Sequence, residues 1–115
     1  MASQCRELSQ YMSNPGEDHW ELLTKTISYL YHTIDRGLML KTSQEKETTL
    51  EAFVDSDYAG NTDDRKSITG FVILLNGTVI SWKSKKQQTV TLSSTEAEYV
   101  ALTHCTAEIQ FILKK

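Results

Sequence analysis

The chain has few of the residues that staple, span or interrupt a fold. Among 115 residues it has two cysteines, Cys5 and Cys105, separated by most of the sequence. Two distant thiols make neither a disulfide framework nor a tetrahedral zinc site. They read as reduced thiols of an intracellular protein, cytoplasmic or nuclear. No apolar run approaches the ~18 residues of a membrane span, so a membrane is not an expected partner. The N-terminus lacks the apolar core of a secretory signal, and secretion is not expected. Neither sign of charge dominates. Twelve Lys and Arg against fifteen Asp and Glu give a net charge of −3, which excludes a strongly basic nucleic-acid binder but leaves room for a local basic patch. What remains is a globular composition, 39% hydrophobic and 23% charged, enough for one small domain with a modest core.

The one proline marks the first element. Asn14-Pro15-Gly16-Glu17 reads as a helix start, with Asn14 as N-cap, Pro15 in the first turn, and Glu17 and Asp18 at the positive end of the dipole. Trp20, Leu23, Ile27, Leu30, Tyr31 and Ile34 follow at helical spacing and Gly37 stops the run, predicting a helix over about 15–35. Trp20, Tyr29 and Tyr31 then belong to a core or an interface rather than to base stacking. "GLMLK" (37–41) predicts a short strand, and Ser43 to Thr48 a polar linker.

From Leu50 the period becomes that of strands. "LEAFVDS" is the first. In "SITGFVILLNGTVISWK" two β-rich runs flank Asn76-Gly77, a strong hairpin signal. A two-residue loop sets Leu75 opposite Thr78, Ile73 opposite Ile80 and Phe71 opposite Trp82. "QQTVTLS" extends or follows the second arm. Ser93 to Glu96 forms a capping box, with Ser93 as N-cap and Glu96 reaching back, and a helix runs from about Thr95 to the end.

Two acids stand out. Leu102, Cys105, Ile109 and Ile112 share a stripe of the last helix, and Glu98 precedes Leu102 by four, which puts it on that stripe. A carboxylate there must be paired, protonated or bound to a cation, or else sit at the stripe's edge and reach water. On the first strand Phe53, Asp55 and Asp57 share one face. Asp55 is either part of a strand running out into a polar turn or half of a site. "DSDYAG" imitates the start of a calcium loop, but Ala59 and Lys66 stand where position 5 and the closing Glu belong, which argues against calcium. If the last helix packs across the sheet, Asp55 and Glu98 could meet. Paired carboxylates suit magnesium or manganese, and with further acids they make a two-metal phosphodiesterase site. His19, His32 and His104 lack metal-ligand spacing and read as ordinary surface or helix residues. Arg65 and Lys66, and Lys83, Lys85 and Lys86 beside Trp82, are candidate phosphate contacts, or simply solvated turns.

The blocks "DSDYAG", "DDRKSITGF", "ISWKSKKQ" and "LSSTEAEYVAL", in this order, resemble the ribonuclease H domain of copia-type LTR-retrotransposon Pol polyproteins. Upstream, "QYMSNPGEDHWELLTKTISYLYHTIDRGLML" resembles the segment joining the reverse transcriptase to that domain. Together the two cover about residues 8–113. The resemblance implies a domain that degrades the RNA strand of an RNA–DNA hybrid with divalent metal. Asp55 and Glu98 match the family's first two acids and would be its metal ligands here, with Asp57 and Glu96 weaker candidates. The family's third and fourth acids lie beyond this helix and have no counterpart in the sequence. The expected fold is therefore α/β. It is a truncated ribonuclease H-like fold, with an antiparallel three-stranded sheet, a C-terminal helix packed on it and an N-terminal helix. Residues 1–48 would be connection segment and 49–115 the partial domain. Without the family's fourth strand the first strand becomes an open edge. The chain is thus expected to be inactive alone, to bind metal weakly, and to be marginally stable or self-associate through that edge. The competing expectation is a non-enzymatic truncated or domesticated module that binds a partner or itself there.

Overall fold

The computed structural model describes residues 1–40 and 47–114. The chain divides into two compact units, Met1–Leu38 and Met39–Lys115. The first contains α1 (Ala2–Gln10) and α2 (Glu17–His32). The second contains β1 (Leu50–Asp57), β2 (Ile68–Leu75), β3 (Thr78–Lys86) and α3 (Ser94–Leu113). This is the expected three-stranded α/β arrangement with one further helix, α1, which has too few apolar positions to announce itself.

In the first unit the cap falls on extended Gly16, not on Asn14. The helix therefore starts two residues later than the pattern suggested, with Gly16 in extended backbone as its cap. No side chain caps it. Instead Nδ1 of His19 accepts the Gly16 N–H at 2.8 Å, and the ring stacks on Tyr11 with centroids 3.9 Å apart. His19 therefore has a local structural job. The helices bury no apolar side chain; only Thr26 is buried. The predicted strand at 37–41 is absent over its described residues: 37–40 carry no strand, and Leu38, Met39 and Leu40 are exposed. A strand needs a neighbour to take its backbone groups, and among the described residues these have none. Lys41 and most of the expected linker, 43–46, lie outside the described residues.

In the second unit the strand order is β1-β2-β3, all antiparallel. The hairpin closes as expected, with Leu75 opposite Thr78 and Asn76 and Gly77 at positive φ. The pairs beyond the turn differ from expectation. A bulge between Ile73 and Leu74 leaves Ile80 unpaired, so Ile73 faces Ser81, Phe71 faces Lys83, and Trp82 lies opposite Val72. One extra residue moves every later side chain of β3 to the other face. Here that carries Trp82 away from the helix side and leaves it 56% exposed.

Against the face made by Phe71 and Ile73 lies α3. Ala97, Ala101 and Cys105 meet the sheet at i, i+4 and i+8, all fully or almost fully buried. Leu50, Val54, Ile109 and Ile112 pack around Phe71, Ile73 and Cys105. The small side chains let helix and sheet approach closely. They also rotate the buried stripe one position from the expected one, so Leu102 is 51% exposed. After β3 the chain turns inward instead of extending the strand. Gln87 is 1% exposed. Its amide Nε2 donates to Thr69 Oγ1 at 3.1 Å and to the Ala97 carbonyl at 3.0 Å, tying the strand exit to the first turn of α3. Ser93 caps α3 by accepting the Glu96 N–H at 3.1 Å. The reciprocal arm lands one residue early, with Glu96 Oε2 accepting the Leu92 N–H.

Candidate functional site

Asp55 sits in β1 opposite Gly70 and is exposed. Val54 packs toward the core, so by alternation Asp55 leaves the sheet on the far side from α3, with Phe53 and Asp57. Its Oδ1 accepts the N–H of Ser56 at 2.9 Å. Glu98 lies one position off the buried alanine stripe and is exposed, at the stripe's edge rather than on its core-facing line. It lines a cleft of about 370 Å³ with Val54, Ser94, Thr95, Tyr99 and Leu102. Asp55 is not among the lining residues. The two carboxylates thus stand on elements that pack together, to either side of the strand that carries Asp55.

The rest of the acidic stretch is turn machinery. The Asp57 carboxylate lies over Gly60, where a Cβ would collide with it. Asn61 Oδ1 accepts the N–H groups of Asp63 and Asp64 at 3.1 and 3.3 Å, and Asp64 Oδ1 accepts that of Lys66 at 3.1 Å. Asp64 Oδ2 also takes the Lys86 ammonium at 2.8 Å, which holds the Asp64 carboxyl below its ordinary value. Such Asx geometry is why Asn and Asp crowd this loop. The polar residues quoted as a possible metal loop are thereby largely accounted for.

As a donor set, Asp55 and Glu98 offer the hard oxygens that magnesium or manganese takes. They fit in kind rather than in number. Among the described residues no group of three or more His, Cys, Asp or Glu stands close enough to hold a metal.

The basic candidates divide. Lys86 is engaged with Asp64. Arg65 and Lys66 belong to the β1–β2 loop, with Arg65 in left-handed backbone at φ 58°. Lys83 and Lys85 are turned by the bulge to the α3 side, where Lys85 lies opposite Thr69. There they share a groove of about 320 Å³ with His104, Glu108 and Phe111. Nothing in the spacing of the sequence marks this grouping, because neither Gly nor Pro flags the bulge. Nearby, burial pushes the Cys105 thiol up, with the Glu108 charge adding to it, so the thiol is a poor nucleophile.

No protein-family model and no solved structure matches the chain. Several curated proteins do. It is 45% identical over 105 residues to the retrovirus-related Pol polyprotein from transposon RE2 of Arabidopsis thaliana, covering 91% of this chain and 7% of that protein. To the Pol polyprotein from transposon TNT 1-94 of Nicotiana tabacum it is 40% identical, covering 89% and 8%. It is 43% identical to a Plasmopara viticola protein named secreted RxLR effector protein 161, covering 88% of this chain and 70% of that one. The chain therefore spans less than a tenth of the length of these Pol polyproteins.

Proposed function

Because this chain belongs to the family of copia-type retrotransposon Pol proteins, we propose that it is a ribonuclease H-like segment of such a protein. In its parent it would serve hydrolysis of the RNA strand of RNA–DNA hybrids. The observation that carries this reading is the similarity of 40–45% over about nine-tenths of the chain to Pol polyproteins. Support for the domain comes from the four sequence blocks in order and from an α3 that begins beside β1.

In this reading Asp55 and Glu98, which the fold sets on opposite sides of β1, would each offer carboxylate oxygens to Mg2+ or Mn2+ and so would hold the ion only weakly. A bound divalent ion would polarise the phosphodiester and lower the pKa of an attacking water. The chain's own part is to hold two carboxylates on rigid elements. Gln87 and the Ser93 cap fix the start of α3, which carries Glu98, and pairing to β2 fixes Asp55. Cleavage of this kind takes metals ~3.5–4 Å apart clamped by several carboxylates. With two carboxylates to offer in this reading, the isolated chain is expected not to hydrolyse hybrids.

The test is a Mg2+ and Mn2+ titration followed by NMR. Millimolar ion should move or broaden the resonances of Asp55 and Glu98, and Asp55→Asn and Glu98→Gln should each abolish the response at the substituted position. Ion-induced changes confined to the 61–64 loop would refute the assignment.

Self-association, in the same reading, runs through β1, which pairs only with β2 among the described residues. A two-fold axis at Phe53 would set Glu51 against Asp55 twice, and like charges directly opposed destabilise a strand pair. Dimers should therefore grow with added salt. Sedimentation showing the reverse trend would count against this edge.

A further inference from the structure

We propose that the groove between β3 and α3 is a phosphoryl-binding site for a nucleic-acid backbone, built from Lys83 and Lys85 on the strand and His104 on the helix, with Thr69 at its floor. This deepens the reading above and rests on it for the choice of nucleic acid. The bulge is the device that makes the site. In a regular hairpin Trp82 and Ser84 would face α3; with Ile80 unpaired, Lys83 and Lys85 face it instead. Two residues apart on one strand face, their Cα atoms are ~6.8 Å apart at ~3.4 Å per residue. At that spacing the two long, flexible side chains can reach phosphates of one backbone.

Neither lysine makes a salt bridge among the described residues, in contrast to Lys86. Thr69 is fully buried yet lines the groove. Its Oγ1 accepts from Gln87 Nε2, which fixes the floor of the groove. Two ammonium groups and an imidazole then line the groove beside an exposed aromatic ring, Phe111. Edge lysines also guard a sheet against strand addition. That role would not call for a histidine across the groove. One group opposes the assignment: the Glu108 carboxylate shares the groove and accepts from Ser81 Oγ at 3.3 Å. Its removal should improve anion binding, which gives the proposal a second sign to test.

The experiment is fluorescence anisotropy of a labelled RNA–DNA hybrid across a salt series, without divalent ion, on the full chain. Lys83→Glu/Lys85→Glu should weaken binding at least tenfold and flatten the slope of log K against log salt by about 2, since each neutralised phosphate contributes ~0.9. Arg65→Glu/Lys66→Glu, on the loop, should change affinity less than threefold. Glu108→Gln should tighten binding severalfold. Equal losses in the two double variants, or no binding by the natural sequence, would overturn the site, as would unchanged affinity in Glu108→Gln. Inorganic phosphate separates the sources. If phosphate shifts the His104 ring in NMR spectra while the hybrid leaves it unmoved, the groove takes free phosphate and the backbone assignment falls. Omitting metal keeps the outcomes apart, because the Asp55 and Glu98 reading is tested by the ion titration alone.

Discussion

The two units of this chain have similar sequence credentials and different interiors. In the first, α2 carries an apolar series at helical spacing, yet Trp20, Ile27, Tyr31 and Ile34 are all more than half exposed. The second builds a core from short strands and a helix, with Ile73 at 0% and Cys105 at 1% exposure. The difference shows that an amphipathic pattern states a need for a partner but does not supply one. A helix of nine residues such as α1 falls below the ~12–15 at which isolated helices become even marginal in water. Structure in the first unit therefore rests on local devices such as the His19–Gly16 hydrogen bond and the Tyr11 stack, whereas the second is held by burial.

The sharpest way to break this contrast is to truncate one isoleucine in each unit. Ile73→Ala empties the centre of the core and should cost ~2–5 kcal/mol. Ile27→Ala, at a position 57% exposed, should stay within ~0.5 kcal/mol. Urea unfolding followed by Trp82 emission in a Trp20→Phe background measures the first, and by Trp20 emission in a Trp82→Phe background the second. Similar losses would mean that α2 is buried against something in solution.

A smaller and more local contrast lies in the thiols. Cys5 is exposed and Cys105 is buried with a raised pKa. Cys5 should react with a thiol reagent at the rate of a free peptide, and Cys105 only as fast as the second unit opens. Comparable rates would place the opening of α3 at little cost and undo the distinction between the units.

The smallest expected effect is electrostatic. The Lys86 ammonium holds the Asp64 carboxyl below its ordinary value. A depressed carboxyl contributes stability above its unfolded pKa and loses it as pH falls through the folded value. Acid titration of stability should therefore be slightly shallower in Asp64→Asn than in the natural sequence, and the two curves should converge at low pH. Because the pair is exposed, the difference is small and salt-sensitive.

Much of the second unit was legible in the sequence, and the reasons are local. Asn76-Gly77 fixes the hairpin because only such residues accept two successive positive φ values. Ser93 marks the start of α3 because its hydroxyl meets an N–H that has no other partner. What was illegible depended on events at a distance. The bulge at Ile80 carries no Gly or Pro, yet it decides which face Lys83 and Lys85 occupy. The buried stripe of α3 was hidden by its small residues. Ala97 and Ala101 define the face because they let the sheet come close, while the larger Leu102 draws attention and sits outside. That one-step rotation also explains Glu98, which reaches the surface at the edge of the packed face. In the first unit, the His19 ring that accepts the Gly16 N–H settled the start of α2 and could not be read from capping preference, and the pattern said nothing of the neighbour that 37–40 lack among the described residues.

On the proposal above, Asp55 and Glu98 would be the first two acids of a ribonuclease H-like site that this chain cannot complete by itself. The most direct test is cleavage of a labelled RNA–DNA hybrid with Mg2+ or Mn2+ by a folded sample, with Asp55→Asn and Glu98→Gln in parallel. The expected result is no cleavage above background in any of the three. Cleavage by the natural sequence that both substitutions abolish would contradict the claim and mean that this chain, or a dimer of it, supplies the remaining carboxylates.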